Sequence, residues 1–186
     1  MAAFWRWEVD TLVTTYAAAL TEAMTALGKR KDTVFLGQAV RYRGTAMHQT
    51  FEGVPDDKKI EMPVAENMQM GIATGLALGG SLPITVYPRI NFLLLAIDQL
   101  VLHLDKISLY SGYLPRVIIR TAIATDKPLD PGAQHVGDYS DAIEAMLSTV
   151  KVVRLREAAR IVPEYLAAAE RDVSTLLVEY ASLYND

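Results

Sequence analysis

"EMPVAENMQMGIATGLALGGSLPITVYP", residues 61–88, carries the pattern on which the fold turns. Pro63 restricts Met62 to extended geometry, so residues 59–66 read as a short extended piece. The spacing then predicts a helix over 67–80, closed by Gly79 and Gly80, and an apolar strand over 82–88. Strand, helix and strand in direct succession argue a parallel pair. One carboxylate, Glu66, heads this glycine-punctuated run, and the next acid is Asp98. Glu66 is either a first-turn glutamate favoured by the helix dipole, worth roughly 0.3–1 kcal/mol, or a group placed for chemistry.

The same alternation runs outward in both directions. Apolar residues at Leu12, Tyr16, Leu20, Met24 and Leu27 predict a helix over 12–31, and residues 33–40 form a short apolar strand. Residues 41–59 read as a polar, glycine-containing loop. Downstream, a long helix is expected over 91–112, a strand over 114–123, a loop over 124–138 and a helix over 139–149. A strand over 150–155, a helix over 157–170 and a strand over 173–180 complete the chain. The strands are continuous apolar runs, which predicts an α/β fold of three layers, a largely parallel sheet with helices on both faces. Ligands of such sheets bind beyond the carboxyl ends of the strands. Glu66, the segment "YPRINF" (87–92) and the loop "GAQHVGD" (132–138) each follow a strand, so they are expected to gather on one edge.

Composition narrows the function. The 186 residues are expected to form an N-terminal arm over 1–10 and a single domain over 11–186. Hydrophobic residues make up 51% and charged residues 22%, which suits a globular chain. The net charge is −4 and no basic cluster stands out, which argues against nucleic acid. There is no cysteine, which removes disulfides and thiolate chemistry and fits a cytoplasmic setting. No apolar run approaches the ~18 residues of a membrane span. Walker A, GxGxxG, GxSxG and metal-ligand spacings are all missing, so no metal site is expected on this chain.

The ordered set "MPVAENMQMGIATGLALGGSLPITVYPRINFLLLAIDQLVLHLDK" (62–106), "SGYLPRVIIR" (111–120) and "GAQHVGDYSDAIEAML" (132–147) resembles the thiamine-diphosphate family of 2-oxoacid dehydrogenases. Within it the likeness is to the pyrimidine-binding domain of the beta subunit of the first component. The resemblance implies thiamine diphosphate as cofactor, with Glu66 giving a proton to N1′ of its aminopyrimidine. Desolvation among Val64, Met68 and Met70 would favour the neutral acid, and Val64 is expected at the cofactor. It further implies that Phe92 stacks on the aminopyrimidine and that His135 lies beside the substrate as acid or base. Without the resemblance, Phe92 reads as core and His135 as a surface-loop residue.

Other residues stay open. Arg89 is a candidate for a substrate carboxylate or phosphate, or else an ordinary ion-pair partner. His48, in the first polar loop, is a candidate substrate contact, whereas His103 is expected to be structural. Asp98 and Gln99 suit packing between subunits. Two departures from the family matter. Gln38 stands where the family commonly has an acid, and no acid near Arg171 matches its structural cation site.

The family holds its cofactor across an interface, and the diphosphate motif is missing here. "VGDY" (136–139) lacks the asparagine that should follow, so Asp138 is not expected to bind metal. The resemblance therefore implies a separate, alpha-like subunit that binds the diphosphate through Mg2+, in an α2β2 heterotetramer. The family's C-terminal domain has no counterpart after "LLVEYASLYND" (176–186), so a pyrimidine-binding domain standing alone is expected. That favours a decarboxylase or carboligase acting on a 2-oxo acid or ketose over a standard dehydrogenase complex. The competing expectation is a catalytically silent assembly domain.

Overall fold

A computed structural model describes residues 14–125 and 130–184; the arm expected over 1–10 lies outside the described residues. Five apolar runs and the extended piece after residue 58 become the strands β1 (Thr33–Gly37), β2 (Lys59–Glu61), β3 (Leu82–Tyr87), β4 (Ile118–Ile123), β5 (Lys151–Arg154) and β6 (Thr175–Tyr180). They form one six-stranded sheet in the order β2-β1-β3-β4-β6-β5. Every pairing is parallel. The helices are α1 (Tyr16–Gly28), α2 (Ala46–Gln49), α3 (Glu66–Leu78), α4 (Ile90–Leu93), α5 (Ile107–Ser111), α6 (Ser140–Met146) and α7 (Ala158–Glu170).

Strand residues alternate between two cores because successive side chains leave a strand on opposite faces. Phe35, Ile118 and Leu177 join Leu20 and Met24 of α1 and Ile161 of α7 on one face. Leu36, Ile119 and Leu176 join Met70 of α3, Leu93 of α4 and Ile143 of α6 on the other. The result is the three-layer α/β arrangement that the alternation predicts. One ion pair enters the first core: the buried Arg120 guanidinium grips Glu179 at 2.7 and 3.1 Å and donates to the Thr50 hydroxyl at 2.8 Å. The hydroxyls of Tyr165 and Tyr184 donate to the same carboxylate.

The helix expected over 91–112 is not continuous. After α4 the chain makes a 3-10 turn over Leu94–Ala96 and a π turn over Gln99–Leu104 before α5. The Asp105 N–H bonds back to Leu100 rather than to the residue four before it. The cause lies in the Asp105 side chain, which is fully enclosed and accepts the N–H groups of Ser148, Thr149 and Val150. That clamp draws the end of the segment onto the start of β5. The loop over 41–59 likewise gains structure, in α2 and a 3-10 turn over Asp56–Lys58.

Candidate functional site

A parallel sheet places all strand carboxyl ends on one edge. β1 hands over to Gln38, β2 to Glu66, β3 to Arg89, Asn91 and Phe92, and β4 to the turn Ala133–His135. Since β1, β3 and β4 are neighbours, residues far apart in sequence meet along this edge.

Glu66 opens α3 and is 5% exposed. Its Oε1 accepts a hydrogen bond from Gln38 Nε2 at 2.9 Å, and its backbone carbonyl accepts one from the Tyr87 hydroxyl at 3.2 Å. Burial, with the Glu66 charge adding to it, pushes the Tyr87 hydroxyl above the usual tyrosine range, so it remains a donor. Glu66 Oε2 has no partner among the described residues, nor is it among the fully enclosed polar atoms, so it is the oxygen left for a ligand.

Backbone geometry delivers Gln38 to this point. Gly37 has φ +140°, and a Cβ there would meet the Val86 carbonyl oxygen at 2.3 Å. Only glycine permits so close an approach of β1 to β3. Ala39 follows with φ 60°, an uncommon value for a residue with a side chain. The Glu61 carboxylate steadies the turn by accepting the N–H groups of Ala39 and Tyr42 at 2.8 and 3.1 Å and that of Arg41. Sequence reasoning passed over Glu61, because its contacts reach back 19 to 22 positions across the polar loop.

The second half of the edge is an aromatic and amide cluster. The Phe92 and His135 rings meet edge-on, centroids 5.6 Å apart at 67°. Asn91 Nδ2 lies 2.9 Å from His135 Nδ1. The Arg89 guanidinium sits 5.8 Å from the Phe92 ring centroid and makes no ion pair among the described residues. Asn91 is a further site residue that sequence reasoning missed; an asparagine beside an aromatic carries no distinctive spacing.

Several expectations look different in three dimensions. Val64 is 78% and Met68 48% exposed, so within this chain the surroundings of Glu66 are polar, built by Gln38 and Tyr87, with only Met70 buried. His48 lines a separate cleft of about 670 Å3 with Arg41, Arg43, Phe51 and Lys59, which neither Glu66 nor His135 enters. His103 is exposed on the π turn. Asp138 accepts the Ser140 N–H at the start of α6, and Arg171 pairs with Glu164. Asp98 accepts from Asn67 of α3 within the chain. Among the described residues no group of three potential metal ligands gathers. No described helix is long and apolar enough to cross a membrane.

Comparison with known proteins agrees with this architecture. Residues 13–185 match the family described as transketolase, pyrimidine binding domain. The beta subunit of the mitochondrial pyruvate dehydrogenase E1 component from Saccharomyces cerevisiae is 31% identical over 137 residues, 70% of this chain and 37% of the yeast protein. A solved structure described as a split gene transketolase, inactive beta4 tetramer, superposes with a TM-score of 0.64 at 22% identity, over 89% of this chain and 51% of that one. The chain thus spans between a third and a half of the proteins it matches.

Proposed function

The chain belongs to the transketolase pyrimidine-binding family, and on that premise we propose that it is the aminopyrimidine-binding half of a two-chain thiamine-diphosphate enzyme. The observation that carries the reading is the buried Glu66 carboxyl with Oε1 held by Gln38 and Oε2 free. When bound, thiamine diphosphate supplies a carbon nucleophile for cleaving or forming a C–C bond next to a carbonyl. The residues present fit the group. Glu66 holds a proton at the pyrimidine N1′ through Oε2, since Oε1 is occupied by an N–H donor. Phe92, half-buried, offers its ring to the flat heterocycle, and Val64 stands exposed two residues before Glu66.

His135 faces the substrate side of the same edge. Arg89, a cation without an ion-pair partner among the described residues, suits the carboxylate of a 2-oxo acid, and we assign that contact to it rather than to His48. The diphosphate and its Mg2+ fall to a second, alpha-like chain in an α2β2 assembly. The exposed apolar side chains of Val64, Met68 and Ile72 beside Glu66 support such a cover. The yeast relative is itself named as one subunit of a component.

The test is co-purification of the partner chain, then titration with thiamine diphosphate and Mg2+ and assay of 2-oxo acid turnover. Tight binding is expected only with both chains present, and Glu66→Gln should lower turnover by at least about 10²-fold. Undiminished turnover would overturn the role of Glu66 and favour the silent assembly domain. Tight cofactor binding by this chain alone would overturn the two-chain site.

A further inference from the structure

We propose that Asn91 is a positioning residue that holds His135 as the neutral imidazole with its proton on Nε2, so that His135 serves the substrate as a hydrogen-bond donor and not as a proton shuttle. The inference rests on the reading that His135 faces the substrate.

Asn91 presents its amide nitrogen to His135 Nδ1 at 2.9 Å. An amide NH2 carries only hydrogens, so Nδ1 must offer its lone pair, and a neutral imidazole with a lone pair on Nδ1 carries its proton on Nε2. Nε2 has no partner among the described residues and is therefore the nitrogen left for a ligand. The ring is held at a second place by the edge-on contact with Phe92. A second proton could enter only at Nδ1, directly against the amide hydrogens. Accepting it requires the amide to turn over, bringing Asn91 Oδ1, now enclosed and without a partner, onto the new N–H.

The charged groups around the cluster leave Nδ1 to the Asn91 amide. Arg89 lies over Phe92, and the loop acids Asp130 and Asp138 accept the N–H groups of Gly132 and Ser140. None of them bonds to His135 Nδ1. A ring fixed this way donates Nε2–H to an oxygen on which negative charge develops and gives up no proton. No covalent bond forms or breaks at His135.

The direct test is nitrogen NMR of the full chain, labelled with 15N, using long-range proton–nitrogen correlations of the three imidazoles near pH 8. His135→Gln assigns the signals, and exposed His103 serves as internal reference. The expected result is a protonated Nε2 and a bare, hydrogen-bonded Nδ1 for His135. Asn91→Asp, which can only accept, should move the neutral proton to Nδ1. Asn91→Leu should remove the hydrogen-bond shift at Nδ1, and the reference signals show whether each variant is folded. A protonated Nδ1 in the wild type, or an unaltered tautomer in Asn91→Asp, overturns the proposal.

The role of Nε2–H is read separately in the two-chain enzyme. His135→Gln keeps a neutral N–H donor and should lose at most about tenfold in turnover, whereas His135→Ala should lose about 10²-fold. Equal losses would overturn the donor role. Failure of the Glu66 test leaves the tautomer result untouched, so the two readings fail separately.

Discussion

Replacing Asp105 by asparagine should cost the fold about 2 kcal/mol at neutral pH, and the loss should fade in acid. The Asp105 carboxylate is fully enclosed and accepts N–H groups from Ser148, Thr149 and Val150 at 2.9, 2.7 and 2.8 Å, with Lys106 at 2.7 Å. Burial alone would raise its pKa, but Lys106 and the three N–H groups outweigh burial and hold it at about 2, against an ordinary 3.8. At about 1.4 kcal/mol per unit, that depression corresponds to about 2 kcal/mol of stability. Because the folded value lies below the unfolded one, the contribution is complete well above pH 4 and is lost as pH falls toward about 2. Asparagine keeps one acceptor but turns an NH2 against N–H donors. Urea unfolding at pH 7, 4 and 3 reads the difference between wild type and variant directly. It should be about 2 kcal/mol at pH 7, shrink as pH falls from 4 to 3, and appear as a melting point lower by roughly 4–8 °C at neutral pH. A neutral-pH difference under about 1 kcal/mol, or one that is the same at pH 7 and pH 3, would refute the clamp.

Further outcomes follow from the same geometry. Arg120→Met leaves Glu179 buried without its guanidinium and should destabilise by about 3–5 kcal/mol in urea unfolding, whereas pairing it with Glu179→Leu should restore much of that. Gly37→Ala drives a Cβ against the Val86 carbonyl at 2.3 Å, so the β1 end must shift; cofactor titration with the partner present should weaken even where circular dichroism shows a folded chain. Gln38→Ala removes the N–H that holds Glu66 Oε1 and should lower turnover about tenfold, with thermal stability nearly unchanged.

Hydrophobic pattern made most of the fold legible. Five apolar runs and one short extended piece announce the strands, and the structure pairs all six in parallel. Strand order was not legible, because pattern states which face of an element is buried and not which strand lies beside it. The break in the expected helix over 91–112 escaped for a similar reason: it arises from Asp105 reaching residues more than 40 positions away. At the site, Glu66, Phe92 and His135 could be placed on one edge because each follows a strand. Gln38 could be seen only as a missing acid, and Asn91 not at all. Their contacts span 28 and 44 positions and exist because β1 lies beside β2 and β3 beside β4.

Those two amides explain why the site can work with so few charges. A carboxylate at position 38, about 3 Å from Glu66, would share a proton with it, and the bound partner would decide which oxygen kept it. Gln38 presents only N–H toward Oε1, so any proton on Glu66 sits on Oε2. Asn91 does the same for His135, leaving the N–H at Nε2. On the proposed reading, each group has one atom committed inside the chain and the other turned outward as a donor to the ligand. A ligand that completes the edge must bring two acceptors of its own. A pyrimidine ring nitrogen and a carbonyl oxygen are such acceptors, and they are the atoms at which a thiamine-diphosphate reaction needs a proton and a hydrogen bond. On the proposed reading, neutral neighbours fix the proton positions before any ligand arrives, and Arg89, over the Phe92 ring, is the charge offered to a substrate carboxylate.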